Sequence, residues 1–198
     1  MKVLLISGSA RPQGQSLRIA RLLQAELTAR GASALLFDLH ARPLAFWESE
    51  ADQAQRAHLA ELRALADGAD SLVVISPEWA GMVPPALKNA LLHLTGGQIA
   101  HKPVLLVGVS AGRSGTYPIA ELRTFAFKNS QALCIPHHVI LRGVEGLFLD
   151  GLDSADDASR ELAARLRAAL EELALYARAL AEVREPLLAL RSRFRNGM

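Results

Sequence analysis

Short apolar runs, rich in branched residues and cut off by small or breaking ones, set the rhythm of this chain. Val3 to Ile6, Leu72 to Ile75 and Val104 to Val109 are unbroken runs, and Ala34 to Leu39 is a fourth with one acid in it. Runs of this length without alternation predict strands buried on both faces. Between them apolar residues recur at helical spacing. Leu17 to Ala29 carries Ile19, Leu22, Leu23 and Leu27 and is closed by Gly31; Leu59, Leu62, Leu65 and Ala66 mark a second helix that stops at Gly68. A third helix opens at Pro85, where no amide hydrogen is needed, and reaches Leu94 before Gly96 and Gly97 stop it. A fourth is predicted near Ile119 to Ser130. Leu133 to Leu141, interrupted by Pro136, reads as a fifth strand or a broken pair. Residues 156 to 184 then form a long amphipathic helix through Leu162, Leu166, Leu170, Leu173, Leu180 and Val183, which Pro186 ends or kinks. Strands alternating with helices, with no internal repeat, predict an α/β fold: one parallel sheet covered on both faces. One domain over 1–185 and a C-terminal appendage over 186–198 follow from this reading.

Composition narrows the function classes. Hydrophobic residues make up 51% of the 198, enough for a sizeable core, and 21% are charged, so the chain is not disordered by composition. Aromatic residues are only 5%, and the net charge is +2, which argues against a nucleic-acid surface. The basic run Arg184, Arg191, Arg193 and Arg195 is read as a solvated helix end and tail. Cys134 is the one cysteine, inside the apolar run Ala132 to Ile135; it forms no intrachain disulfide and is a poor nucleophile. No apolar stretch approaches the roughly 20 residues of a membrane span, and the N-terminal run is too short for a secretory signal. A cytoplasmic protein with no membrane or nucleic-acid partner is expected. His93, His101, His137 and His138 show no ligand spacing with acids or Cys, so no metal site is expected.

In an open parallel sheet ligands bind beyond the carboxyl ends of the strands, and three loops leave such ends. The first runs Gly8-Ser9-Ala10-Arg11-Pro12-Gln13-Gly14-Gln15-Ser16. Its hydroxyls, amides, arginine and following helix N-terminus favour a phosphate monoester. It lacks the Gly-x-Gly-x-x-Gly of a dinucleotide turn and the Gly-Lys-Ser/Thr of a Walker A loop. The plainer reading is a capping turn with Ser16 as N-cap and Gly14 relieving strain. The second loop, Pro77 to Pro84, is stiffened by prolines, and Gly81 permits close backbone approach. Trp79 suits a planar ring or a hydrophobic cover; Glu78 suits a pocket acid or, more simply, a cap. Lys88 and Asn89 behind it are read as structural. The third loop, Ser110 to Thr116, is small and polar, fit to line the edge of a flat heterocycle; Arg113 is either a nucleotide-phosphate contact or a solvated loop residue.

With these loops in view, the chain resembles the NAD(P)H-dependent FMN reductases, the flavodoxin-like group that includes quinone, azo-dye and chromate reductases. Gly8, Ser9, Arg11 and Ser16 match the family's first turn. Pro77, Glu78, Pro84, Leu87, Lys88, Asn89 and Ala90 match its Pro-Glu-Tyr-Asn-x-x-x-Pro and Leu-Lys-Asn-Ala signatures. Lys102-Pro103-Val104 at the fourth strand and Ser110, Gly112 and Gly115 after it also match, so the likeness spans roughly residues 2 to 140. The chain departs from the pattern at Trp79 for Tyr, at Ala80 for Asn, and at Leu92 and His93 for Asp-Trp in the third helix.

The resemblance implies a three-layer flavodoxin-like fold with strand order 2-1-3-4-5. It implies FMN as cofactor and NAD(P)H as co-substrate, with electrons passing to a small acceptor such as a flavin or quinone. Ser9, Arg11, Gln15, Ser16 and Leu17 would hold the FMN phosphate. Pro77, Glu78, Trp79, Ala80 and Gly81 would wall the ring, and Ser110 and Gly112 would line its other edge. No side chain need act as a nucleophile. A homodimer or homotetramer is expected on the same ground. A flavodoxin-like electron carrier and a flavin-free interaction module are the alternatives. A phosphoacceptor receiver is excluded, because Ser7, Gly8 and Ser9 stand where its acidic pair is required.

Overall fold

A computed structural model describes residues 1–154 and 156–191. Five strands, β1 (Lys2–Ser7), β2 (Ser33–Asp38), β3 (Ser71–Pro77), β4 (Pro103–Val109) and β5 (Leu133–Leu141), alternate with α1 (Gln15–Ala29), α2 (Gln53–Gly68), α3 (Pro85–Leu92), α4 (Thr116–Glu121) and α5 (Asp157–Arg191). All strand pairs are parallel and the order is β2-β1-β3-β4-β5, as the resemblance implied. Successive residues of a central strand feed opposite cores. Val3, Leu5, Val73, Ile75, Leu105 and Val107 pack with α1 and α5. Leu4, Ile6, Leu72, Val74, Val104 and Leu106 pack with α2, α3 and α4. That double burial is why the strands read as unbroken apolar runs rather than alternating ones. Among the described residues no helix is long and apolar enough to cross a membrane.

Two helices differ from the sequence expectation and two elements decide between its alternatives, each for a local reason. The fourth helix lies earlier than Ile119 to Ser130: α4 spans Thr116–Glu121, with Pro118 in its first turn where it loses no bond, and gives way to a π-turn over Leu122–Ala126. The third helix ends at Leu92, because the Leu94 amide turns back to the Leu91 carbonyl and tightens the last turn. β5 is one strand. It absorbs Pro136 in a bulge, where Cys134 pairs with Val104 but His138 with Leu106. Proline is tolerated there because β5 is an edge, and the Arg123 guanidinium bonds the Ile135 and Pro136 carbonyls at 2.7 and 2.8 Å. Finally, α5 does not end at Pro186 but continues to Arg191. Its last turns are tied to the segment before β4, by Arg184 donating to the Ala100 carbonyl and Arg191 to the Thr95 carbonyl. The remainder of the expected appendage, residues 192–198 with Arg193 and Arg195, lies outside the described residues.

Candidate functional site

The parallel sheet brings all three predicted loops to one edge, with two further ones. The loop after β2 touches the first loop through the His40 ring, 3.1 Å from the Ala10 carbonyl. It is pinned to α3 by Asn89, which accepts from the Trp47 amide and donates to the Ala45 carbonyl, and by His93, which also bonds Ala45. The turn after β5 is held to α1 by Arg18, which donates to the Val144 and Leu147 carbonyls. Asn89 is structural, as the sequence reading had it, and His93 joins it in holding this loop.

The first loop corrects the capping expectation. Helix α1 begins at Gln15, two residues before Leu17, and its N-cap is Gly14 in extended conformation, with no side chain closing the first turn. Glycine is needed because a Cβ there would sit 2.8 Å from the Ser9 hydroxyl. Ser16 therefore does not cap. It falls inside the helix, fully buried, and its hydroxyl finds no partner among the described residues. Ser9 is buried beneath the loop and accepts from the Arg11 amide at 3.1 Å. The Gln15 side chain is partly committed, accepting from Arg18 at 2.7 Å, and the Leu17 amide bonds the Gly14 carbonyl. An uncapped helix N-terminus with an orphaned hydroxyl inside it, and an arginine in the loop that leads into it, is the donor set of a phosphate site. The residues present fit a phosphate ester on these grounds.

The second loop is a two-residue hairpin. The Trp79 and Met82 amides donate to each other's carbonyls at 3.1 and 2.9 Å. Ala80 and Gly81 at the tip have φ of +49° and +77°, the signature of a type I′ turn, which favours Asn-Gly. The Asn that the family pattern carries at position 80 thus has a conformational reason, and Ala80 is held in a region costly for a Cβ-bearing residue. Ala80→Asn is expected to stabilise the protein by about 1 kcal/mol, read as a higher urea midpoint at unchanged slope; an unchanged or lower midpoint would remove this account of the turn. The Arg11 guanidinium lies over the Trp79 indole, 4.7 Å from its centroid, and so joins the first loop to the hairpin.

Glu78 is a cap rather than an open pocket acid. Its carboxylate accepts from the Ser114 hydroxyl at 2.9 Å and from the Gly115 amide at the start of α4. Pro77 ends β3. In the third loop Ser110 accepts from the Gly112 amide at 3.2 Å, and Gly112 is exposed. The Arg113 side chain is exposed, while its carbonyl accepts from Arg142, which also donates to Thr116. Sequence reasoning missed Glu121 at the end of α4, which accepts from the Val83 amide at 2.7 Å and from Lys88 at 2.8 Å. Burial pushes its carboxyl pKa up, but the Lys88 ammonium and the Val83 amide outweigh that and leave it below the ordinary value. Cys134 is half-buried on β5, away from these loops, and burial pushes its thiol up to about 11.

A family model described as NADPH-dependent FMN reductase matches residues 1–145. The chain is 26% identical to an NADPH azoreductase of Bacillus sp. (strain OY1-2), over 94% of this chain and 98% of the relative. It is 28% identical to an FMN-dependent NADPH-azoreductase of Staphylococcus aureus, over 84% and 90%. Among solved structures it resembles the flavoenzyme NAD(P)H:(acceptor) oxidoreductase FerB of Paracoccus denitrificans, with TM-score 0.69 at 19% identity over 88% and 98% of the two chains. The apo form of an NADH:FMN oxidoreductase superposes with TM-score 0.66 at 16% identity over 85% and 87%. At such identity these two bear on the fold alone.

Proposed function

The chain belongs to the NADPH-dependent FMN reductase family, and from that premise we propose how its own residues serve an NAD(P)H-dependent flavin oxidoreductase. The FMN phosphate is held by the N-terminus of α1 with Ser9, Ser16 and Arg11, while Gln15 and Leu17 shape the turn. The observation that carries this is the unpartnered, fully buried Ser16 hydroxyl in an uncapped first turn. The hairpin from Pro77 through Gly81 walls the ring, and Ser110 and Gly112 line the opposite edge. When bound, FMN supplies the two-electron chemistry between NAD(P)H and the acceptor.

The chain's part is binding, orientation and electrostatics. The α1 dipole and Arg11 balance the phosphate charge. The Ala80 and Gly81 amides lie at the tip of the hairpin, outside its two cross-bonds, and are aimed at negative charge that grows on the ring. Trp79 covers the ring's flank and, through Arg11, ties it to the phosphate end. The relatives' names support azo dyes and similar small electrophiles as acceptors. The protein works in the cytoplasm as a homodimer or homotetramer; the exposed side chains of Phe46, Trp47 and Leu92, on the loop bonded to α3 and on α3 itself, support a second copy as their cover.

Purified protein is expected to bind FMN with submicromolar Kd and to bleach it on anaerobic addition of NADPH. Protein that neither binds nor bleaches added FMN would overturn the assignment. Binding without bleaching by NADPH or NADH would leave an electron carrier.

A further inference from the structure

Two carboxylates lace the hairpin loop to α4 in opposite directions. Glu78, on the first limb of the loop, accepts from Ser114 and Gly115 at the N-terminus of α4. Glu121, at the C-terminus of α4, accepts from the Val83 amide on the second limb. The six residues of α4 therefore splint a loop whose two limbs are clamped to its two ends. Val83 is buried, and the Glu121 side chain is only 20% exposed. Its other oxygen faces Lys88, which is twice as exposed, at 40%. A half-exposed ion pair of that kind contributes little, whereas a buried amide deprived of its acceptor must move or go unpaired.

We infer that Glu121 is a positioning residue of the flavin site, acting through the Val83 main chain to fix the hairpin that walls the ring. The inference rests on the flavin reading above. Its consequence is selective. Loosening the second limb lets the Ala80–Gly81 tip drift from where negative charge grows, so reduced FMN loses more than oxidised FMN. A residue that merely held the fold together would weaken both forms alike.

Glu121→Asp and Lys88→Met separate the two contacts. The aspartate keeps a charge for the flexible Lys88 but withdraws from Val83; the methionine removes the ion pair and leaves Val83 its acceptor. FMN affinity of the full-length protein is measured by titration, and the midpoint potential by anaerobic spectroelectrochemistry. Glu121→Asp is expected to bind oxidised FMN about tenfold more weakly and reduced FMN a further tenfold more weakly, which lowers the two-electron midpoint by about 30 mV. Lys88→Met is expected to stay within about twofold for both forms. A Glu121→Asp protein indistinguishable from wild type, one that weakens both forms equally, or a Lys88→Met protein shifted as far, would overturn the inference while leaving the flavin reading intact. Wild-type protein that binds no FMN would remove both.

Discussion

Ser16→Ala is expected to stabilise the FMN-free protein and to weaken its hold on FMN, two effects of opposite sign from one hydroxyl. The side chain is fully buried and its oxygen has no hydrogen-bond partner among the described residues. A buried hydroxyl without a partner is destabilising by about 1–3 kcal/mol, so deleting it raises stability by roughly that amount, less a small packing loss. The same hydroxyl stands in the first turn of α1, where no side-chain cap competes for the helix's free amides. If it is kept for an anion, a hydrogen bond to a charged group worth about 1.5–3 kcal/mol disappears with it. That corresponds to a loss in FMN affinity of about 10- to 100-fold. The checks are a urea titration without ligand and a fluorescence titration with FMN. A variant that loses stability and keeps its FMN affinity would show that Ser16 serves packing and that the phosphate sits elsewhere.

This position also shows where sequence reasoning stops. Ser16 looked like an N-cap, because a serine before an apolar-periodic run is a common helix start. The helix instead begins two residues earlier, since Gln13 takes φ of +52° and Gly14 supplies the extended N-cap that fits beside Ser9. Nothing local in the sequence distinguishes the two. The strands were legible because double burial writes itself into composition, and the binding loops were legible because glycine and proline punctuate strand ends. From the sequence Ala80 is only a departure from the family's asparagine; the hairpin geometry makes it a backbone compromise at a turn that favours asparagine.

Glu121 was not legible for a different reason. Its partner Val83 lies 38 residues upstream and contributes only a main-chain amide, which carries no sequence signature. The same holds for Arg18, which besides Gln15 reaches carbonyls 126 and 129 residues away. Side chains that act on distant main chain are visible only once the fold has set the distance. The loops that meet at the carboxyl ends of the strands are legible from their composition, whereas the residues that hold them in register are not.

Lys102 makes the same point at the other end of the sheet, and carries the second large expected effect. It belongs to the Lys-Pro-Val segment that resembles the family pattern, yet it lies at the amino end of β4, remote from the binding loops. Its side chain is buried, and the ammonium donates to the Ala66 and Asp67 carbonyls at 2.5 and 2.8 Å, closing the last turn of α2. Lysine reaches these orphan carbonyls by threading its apolar stem through the core. Burial, with Arg184 nearby, pulls its pKa down to about 8 from 10.5, against the opposing pull of Asp67 and Asp70. Because the folded pKa lies below the unfolded one, the unfolded chain binds more protons between about pH 8 and 10.5. Wild-type stability is therefore expected to rise over that window relative to Lys102→Met, by about 1.4 kcal/mol per pKa unit and roughly 3 kcal/mol in all. The neutral amine still has two hydrogens for the two carbonyls. Below pH 8 the methionine variant loses both donors, which costs about 1–3 kcal/mol, but also escapes the buried charge. Urea midpoints of the two proteins between pH 7 and 10 test this. Parallel curves would mean that Lys102 titrates as a solvated lysine, and FMN affinity is expected to be equal in both, since the two ends of the sheet divide stability from binding.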